Sequence, residues 1–287
     1  MGKQLKDEAT TLNLLSEVQA GLKDYEAVLT QSMVIDGQAR RLTWDFSSID
    51  IETLEILQMT DIQFGHKACD VETLNKYLAW ILSQENRYIL FGGDMVDAGH
   101  VQSKGSPFEQ VGDPQEELWR FCELFAPIRH RVLGYVGGNH ERRAIPTFGD
   151  IGKSIATILE LPYSPGKQHI DIIFGDHKPF KISMWHGGGS GQTKGSIANG
   201  LVKFMNQADS QLYLLGHLHQ AMVVQESREV RGKNGKMVQQ KIVGARGSSF
   251  LKHYGTYAEV VMGANPQTIQ MPRAVLERNG HWELTLR

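Results

Sequence analysis

The most constraining feature of this chain is an apolar run, Tyr88 to Phe91, that ends abruptly in Gly-Gly-Asp94. Such a run is typical of a buried strand, and open α/β sheets bind ligands at the carboxyl ends of their strands. Further apolar segments run into polar residues at Asp61, Asn139, His186 and His217. We therefore predict that these strand ends meet at one place and hold metal.

The residues at these ends supply a mixed set of oxygen and nitrogen donors. They are Asp61, Asp94, Asn139, His140, His186, His217 and His219. Mixed donors suit Mn, Fe, Zn or Ni better than Ca or Mg, which prefer oxygen alone. One four-coordinate zinc would not use so many donors. Two divalent ions about 3.5–4 Å apart that share a carboxylate would use them all.

Along the chain, predicted strands alternate with predicted helices. The sequence predicts strands at 54–59, 88–91, 132–136, 170–174, 180–185 and 212–215, and helices that begin at Asp70, Asp113, Asp150 and Ser196 as N-caps. The order β-α-β-α-β predicts parallel strands with right-handed crossovers. Beyond Gln220, alternating runs around the turn signals Asn234-Gly235 and Asn279-Gly280 predict antiparallel strands.

The first 50 residues differ from the rest of the chain. Apolar residues recur there at helical spacing, namely Leu15, Val18, Leu22, Tyr25 and Leu29, which predicts one amphipathic helix over about residues 7–30. Its apolar face would cover either the main domain or a second copy of the protein, so a homo-oligomer through this helix is one alternative. We predict an N-terminal helix and extended segment over 1–50 and one larger domain over 51–287.

Composition narrows the class of protein. The hydrophobic fraction of 41% and charged fraction of 22% are ordinary for a soluble globular protein. A net charge of -2 gives no global basic field, although a local basic groove for nucleic acid stays open. Cys69 and Cys122 suit a reducing compartment. No apolar stretch is long enough to span a membrane and no signal-peptide core is present, so we expect a cytoplasmic protein without membrane association.

The motifs, taken in order along the chain, resemble the calcineurin-like metallophosphoesterase family. They are Asp61-x-Gln63, Gly93-Asp94-x-x-Asp97, Gly138-Asn139-His140-Glu141, His186 before glycines, and Gly216-His217-x-His219. The resemblance covers about Leu54 to Gln220. It implies an α/β fold in four layers, a β-sandwich of two mixed sheets flanked by helices, here preceded by an N-terminal helical extension.

The resemblance implies a role for each motif residue. Asp94 would bridge two ions, with Asp61 and His219 on the first and Asn139, His186 and His217 on the second. His140 would face the phosphate and either stabilise its charge or protonate the leaving oxygen. Asp97 would orient His140 or the loop rather than bind metal. Arg142 and Arg143 follow this loop and are candidates to bind the substrate phosphate, the alternative being that both are simply solvated.

One position departs from the family pattern. Gln63 stands where the family usually has a histidine. An amide oxygen can bind a metal, but it is a weaker donor than imidazole for borderline ions. The first site is therefore expected to be looser, emptier, or selective for a harder ion such as Mn, and His66 is a candidate to compensate from the loop. The pattern Asp-x-Gln-x-Gly resembles a branch of the family found in bacteriophage and bacterial genomes.

The resemblance implies a hydrolase in which a metal-bound hydroxide attacks phosphorus in line. We expect two Mn ions, with Fe, Zn or Ni as alternatives. We expect phosphodiesters, from nucleotides or nucleic acid, rather than monoesters, because a weakened first site tolerates fewer phosphate charges. The alternatives are a catalytically weak or inactive binding module of the same fold, and a phosphatase acting on phosphoproteins or other phosphomonoesters.

Overall fold

The fold consists of two six-stranded sheets with helices on their outer faces. The computed structural model describes residues 40–99, 107–191, 193–232, 234–254, 256, 259 and 266–287. Within these residues the predicted α/β sandwich of two mixed sheets is confirmed. The helix predicted over residues 7–30 lies outside the described residues. None of the described helices is long and apolar enough to cross a membrane.

The first sheet carries the three strands that lead to the first three motifs. Its order is β12-β11-β2-β3-β4-β5. The strands are β2 (Thr53–Met59), β3 (Arg87–Phe91), β4 (Val132–Val136), β5 (Tyr163–Ser164), β11 (Pro272–Glu277) and β12 (Trp282–Leu286). The strands β2 to β5 run parallel, which confirms the prediction from the β-α-β-α-β order. The strands β11 and β12 form an antiparallel hairpin around the predicted turn at Asn279-Gly280.

The second sheet carries the strands that lead to the two histidine motifs. Its order is β1-β6-β7-β8-β10-β9. The strands are β1 (Arg41–Asp45), β6 (Gln168–Ile173), β7 (Phe180–Trp185), β8 (Leu212–Leu215), β9 (Met222–Arg231) and β10 (Met237–Arg246). β1 pairs with β6, so residues 41–45 belong to this sheet although they precede the predicted boundary at residue 51. The division of the chain into two regions stays a prediction.

Three of the four predicted helices begin at their predicted capping residues, and two further short helices were not predicted. The helices are α1 (Val71–Leu82), α2 (Pro114–Phe125), α3 (Asn139–Arg143), α4 (Ile145–Phe148), α5 (Ile151–Leu159) and α6 (Lys194–Met205). Asp70, Asp113 and Asp150 each accept a hydrogen bond from a backbone N–H of the first turn. Ser196 was the wrong cap for α6, because Thr193 comes three residues earlier and accepts from the Ser196 N–H.

The central strand β3 is buried on both faces, which explains its uninterrupted apolar sequence. Leu90 faces the core between the two sheets, where it joins Ile182 and Leu214 of the second sheet. Phe91 faces the opposite way into the core beneath the helices, and its ring centroid lies 5.0 Å from that of Phe125 on α2. Packing on both faces fixes the position of this strand, and with it the loop that begins at Gly92.

Glu117 of α2 is a buried carboxylate with incomplete hydrogen bonding. Its Oε2 accepts from the Ala98 N–H at 2.7 Å, while its Oε1 has no hydrogen-bond partner in the described part of the chain. Burial raises the pKa of Glu117 to about 8, against an ordinary value of 4.5. Between these two pH values the folded protein holds a proton that the unfolded chain has released, so this group makes the fold less stable as the pH rises.

We expect Glu117→Gln to be more stable than the parent protein at pH 8 and similar to it at pH 5. The difference grows by at most about 1.4 kcal/mol per pH unit, since the glutamine cannot ionise. Urea unfolding at both pH values measures it. The exposed neighbour on the same helix gives the control, Glu116→Gln, which should show no such trend, and a pH-independent difference for Glu117→Gln would contradict the prediction.

Candidate metal centre

The carboxyl ends of the motif strands meet at one edge of the sandwich, between the two sheets. The Asp61 N–H donates to Gly93 O at 2.9 Å, which joins the loop after β2 to the loop after β3. In the second sheet, the Gly216 N–H donates to His186 O at 2.9 Å. The structure therefore brings together the polar residues that follow β2, β3, β4, β7 and β8.

Four of the predicted ligands form one cluster, which we call the second cluster: Asp94, Asn139, His186 and His217. Asn139 Oδ1 lies 2.7 Å from His217 Nδ1 and 3.0 Å from His186 Nε2. Ligand atoms of Asp94, His186 and His217 all lie within 4.8 Å of one another. Donor atoms that share one ion at about 2.1 Å lie roughly 3–4 Å apart. The spacing of this cluster therefore fits a single divalent ion.

The protonation of the two histidines also fits a cation. His186 Nδ1 lies 2.8 Å from Gly92 O, and His217 Nε2 lies 3.0 Å from Gly189 O. A carbonyl oxygen only accepts, so each of these nitrogens carries the proton. The other nitrogen of each ring faces Asn139 Oδ1 and is the one that would bind a cation in its deprotonated form. Metal-binding histidines are held in this way, with one nitrogen on the metal and the other donating to a backbone carbonyl.

Asp61, Gln63 and His219 form the first cluster. Asp61 Oδ1 lies 3.2 Å from His219 Nε2, and Gln63 Nε2 lies 3.2 Å from the same nitrogen. Gln63 is buried, and its Oε1 has no hydrogen-bond partner among the described residues. Rotation of the amide exchanges the positions of oxygen and nitrogen, so a carbonyl oxygen can face this cluster. A buried oxygen without a donor is suited to a cation, but only Asp61 and His219 offer ionisable donors here.

His66 does not join the first cluster. Its Nδ1 accepts from the Ala68 N–H at 3.0 Å, and its Nε2 lies 4.0 Å from Glu109 Oε2. Both ring nitrogens therefore face neighbouring residues of the protein, Ala68 and Glu109. The compensation for Gln63 that the sequence left open does not come from this side chain.

Backbone strain is concentrated at the predicted ligands. Positive φ angles occur at Asp61 (53°), Gln63 (50°), Asp94 (56°), His217 (75°) and His219 (54°). For residues other than glycine, this conformation costs roughly 1–2 kcal/mol each. Such strain persists where the surrounding structure over-determines it, and it clusters at functional sites. These strained residues follow the ends of β2, β3 and β8, where the chain turns to bring donors into the two clusters.

His140 stands between Asp97 and the two clusters. Its Nδ1 lies 2.8 Å from Asp97 Oδ1, and its Nε2 lies 3.7 Å from Asp94 Oδ2. Burial by itself lowers the pKa of His140, but the Asp94 charge and the Asp97 hydrogen bond outweigh it and raise that pKa to about 9. Asp97 thus fixes the ring and stabilises its protonated form, with Nε2 facing the clusters.

The two arginines after this loop contact backbone carbonyls. Arg143 Nη2 donates to Asp97 O at 2.7 Å, and Arg142 Nη2 donates to Pro165 O at 2.6 Å. Arg143 therefore supports the residue that orients His140. The substrate-binding role expected for both arginines stays a prediction.

A sequence model of the calcineurin-like phosphoesterases matches residues 54–221, more than half of the chain. The chain belongs to the calcineurin-like phosphoesterase family. The match spans all of the motif residues from Asp61 to His219. Family membership implies divalent metal ions, and the two clusters are where this chain offers donors for them. A search of curated proteins finds no match.

Solved structures that resemble the chain are distant from it. A metallophosphoesterase from Sphaerobacter thermophilus is 14% identical with a TM-score of 0.42, over 82% of this chain and 87% of that one. A protein serine/threonine phosphatase from Saccharomyces cerevisiae is 11% identical with a TM-score of 0.38, over 92% and 89%. A Vps29 double mutant from Entamoeba histolytica is 16% identical with a TM-score of 0.37, over 82% and 99%. At these scores none supports a conclusion about activity.

Glu141 lies within one of the family motifs, but no role was predicted for it from the sequence. The residue is fully buried. Its Oε2 accepts from the N–H groups of Asp94 and Gly138, both at 3.0 Å. Its Oε1 accepts from the Met95 N–H at 2.7 Å and from the Tyr135 hydroxyl at 3.0 Å. The signal in the sequence was a carboxylate that directly follows a glycine-rich strand end.

Arg246 was missed altogether. It ends β10, it is fully buried, and its Nη1 donates to Gly216 O, the carbonyl just before His217. Among the described residues, its Nε has no hydrogen-bond partner. A charge at the end of the apolar run Ile242 to Ala245 was the available signal. This buried cation supports the turn that carries the last two predicted ligands.

Glu141→Ala should destabilise the protein by about 2–4 kcal/mol, because buried N–H groups at the ends of β3 and β4 would have no acceptor. Urea unfolding measures the loss. The next residue in the chain supplies the matched control: Arg142→Ala removes an exposed side chain and should change the stability by no more than about 0.5 kcal/mol. Equal stability of the two variants would show that the Glu141 hydrogen bonds do not hold the loops.

Gln63→His should tighten zinc binding at the first cluster, because imidazole is a better donor than an amide oxygen for a borderline ion. Calorimetric titration of metal-stripped protein should show a second binding event that is tighter in the variant than in the parent. His66→Gln is the control, since His66 lies outside the cluster. If Gln63→His leaves the metal affinities of both binding events unchanged, Gln63 is not part of the first metal site.

Proposed function

We propose that the protein is a metal-dependent phosphoesterase that hydrolyses phosphodiesters of nucleotides or nucleic acid. The observation that carries the proposal is the arrangement of two donor clusters around Asp94, with His140 Nε2 directed at them. Membership of the calcineurin-like phosphoesterase family supports a phosphoester hydrolase. When bound, a pair of divalent ions polarises the phosphoryl oxygens and lowers the pKa of a water molecule towards neutrality.

In this proposal the second cluster would hold one ion and the first cluster would hold the other, and Asp94 would be a ligand shared by the two. Its carboxylate lies 3.2 Å from His186 Nε2 and 3.7 Å from His140 Nε2, so it is adjacent to both a ligand of the second cluster and the proposed acid. We propose Mn for these positions, because the amide of Gln63 is better matched to a harder ion.

His140 is the proposed general acid. Asp97 accepts from its Nδ1–H, which keeps that nitrogen occupied and directs Nε2 towards the clusters. As the oxygen of a water molecule forms a bond to phosphorus and releases its proton to solvent, the bond from phosphorus to the leaving oxygen breaks. The electron pair stays on the leaving oxygen, which takes the Nε2 proton. Proton transfer by a positioned side chain typically contributes about 10²–10⁴-fold to the rate.

The preference for diesters rests on charge. A phosphomonoester carries close to two negative charges at neutral pH, because its second pKa is about 6, whereas a diester carries one. The first cluster offers Asp61, His219 and one neutral amide to the ion. A weakly held ion neutralises less charge, which favours the substrate with fewer charges.

We expect the Mn-loaded protein to hydrolyse bis-p-nitrophenyl phosphate with a higher kcat/KM than p-nitrophenyl phosphate. Asp94→Ala should abolish both activities, and His140→Ala should lower kcat by about 10²–10⁴-fold. Asp209→Asn, on an exposed loop, is the control and should retain full activity. Faster cleavage of the monoester would overturn the diester preference, and full activity of Asp94→Ala would overturn the assignment of the site.

The first cluster offers only two ionisable donors among the described residues, Asp61 and His219. This favours one alternative function, a binding module with the same fold and no catalytic turnover. It predicts less than one tightly bound ion per chain and no hydrolysis of either ester. Metal analysis of the purified protein, together with the two assays, distinguishes it from the enzyme.

A further inference from the structure

Three loops at the edge that carries the clusters lie side by side and form one surface. We call this surface the rim strip, and it consists of residues 66–69, 108–110 and 251–254. The segment 66–69 lies in the middle and is joined to both others by backbone hydrogen bonds of 2.8 Å, from Lys67 N–H to Glu109 O and from Lys252 N–H to Ala68 O. Isolated β-bridges join residue 66 to 110 and residue 69 to 251. The strip is therefore an ordered ladder.

The rim strip is attached to the backbone of two predicted metal ligands. Gln63 O accepts from the His66 N–H at 3.1 Å, where the middle segment begins. Asp61 O accepts from the Phe250 N–H at 3.0 Å, directly before the third segment. The strip is therefore directly joined to the loops that carry the first cluster.

Two aromatic side chains project from the outer segments of the strip. Phe108 is 87% exposed and Tyr254 is 77% exposed, the two highest values among the exposed large hydrophobic residues of the described chain. The next aromatic in that order, Trp119, is 51% exposed and lies on α2. Two strongly exposed rings on one surface, joined to the loops of the first cluster, offer a ligand two planar faces for stacking.

The exposed charges between the two rings are positive. Lys67 and Lys252 are both exposed. Lys67 Nζ donates to Phe108 O at 2.7 Å, which places its ammonium group beside the backbone of Phe108. The nearby carboxylate of Glu109 is only 32% exposed and faces His66. The strip therefore carries two exposed lysines together with two exposed aromatic rings.

We propose that the rim strip binds single-stranded nucleic acid, with bases stacked on Phe108 and Tyr254 and backbone phosphates beside Lys67 and Lys252. Aromatic rings interleaved with cations are how proteins bind single strands without sequence preference. Nucleic acid is also the polymer whose phosphodiester bonds alternate with stackable planar groups. This inference rests on the proposed phosphodiesterase function and narrows its substrate to polynucleotides.

The test compares a double variant of the strip, Phe108→Ala with Tyr254→Ala, with a matched control away from it. The control is Trp119→Ala with Phe148→Ala, which removes exposed aromatics from α2 and α4. On a single-stranded oligothymidylate of about 12 nucleotides, the strip variant should raise KM at least about fivefold per ring removed. Its kcat, and its kcat/KM on bis-p-nitrophenyl phosphate, should equal those of the control.

Binding without cleavage separates this inference from the proposed function. In an Asp94→Ala background, fluorescence anisotropy should show the same weakening of oligothymidylate binding by the strip variant. Lys67→Ala with Lys252→Ala should also reduce the slope of log K against log salt by about 1.4, or about 0.7 for each phosphate that no longer meets an ammonium group. One outcome would separate the two proposals: the strip variant binds oligothymidylate more weakly, but the parent protein hydrolyses neither nitrophenyl ester. That outcome would support the nucleic-acid surface and overturn the proposed phosphoesterase activity.

Three results would overturn the nucleic-acid surface. The first is no measurable binding of oligothymidylate in the Asp94→Ala background. The second is equal affinity of the strip variant and the aromatic control. The third is tighter binding of duplex than of single strand, since paired bases are not free to stack on protein rings. In each case, hydrolysis of bis-p-nitrophenyl phosphate would still decide the phosphoesterase function independently.

Discussion

The candidate site depends on one buried carboxylate that joins two strand ends. Backbone N–H groups at the ends of β3 and β4 leave the sheet ladder and need new acceptors in a buried place. Glu141 accepts from three of them, those of Asp94, Met95 and Gly138. This arrangement offsets the strain at Asp94, which has a φ of 56°. Glycine is needed at 138, because a side chain there would overlap with the Asp94 carboxylate.

The surrounding structure supports the two clusters unequally. His186 follows a strand of the second sheet, and its Nδ1–H donates to Gly92 O of the first, so one hydrogen bond both joins the sheets and selects the nitrogen that faces the second cluster. The first cluster has no comparable support for Gln63, whose carbonyl oxygen lacks a donor among the described residues. The second cluster is therefore pre-organised, while the first depends on what Gln63 binds.

Much of the fold follows from local sequence. The strands β4 and β8 have the bounds that their apolar runs predicted, because strands buried on both faces have uninterrupted apolar sequences. The strand β7 also has its predicted bounds, although Lys181 and Ser183 interrupt its apolar residues. The extended segment before residue 51 was predicted, but its pairing as edge strand β1 with β6 was not, and neither was the two-residue strand β5. Both pairings depend on partners distant in sequence. Thr193 and Ser196 are equally good caps by residue type, and only the path of the chain into α6 decides between them.

By itself the sequence determined the family, the succession of strands along the chain, and the residue types at each strand end, because these depend on spacing along the chain. Only the tertiary structure decided which ring nitrogen faces each cluster, that His66 turns away, and that Glu141 and Arg246 support the ligand loops. Gln63 and His219 are 156 residues apart in sequence and 3.2 Å apart in space. Such distances are set by the packing of two sheets, which no local pattern encodes.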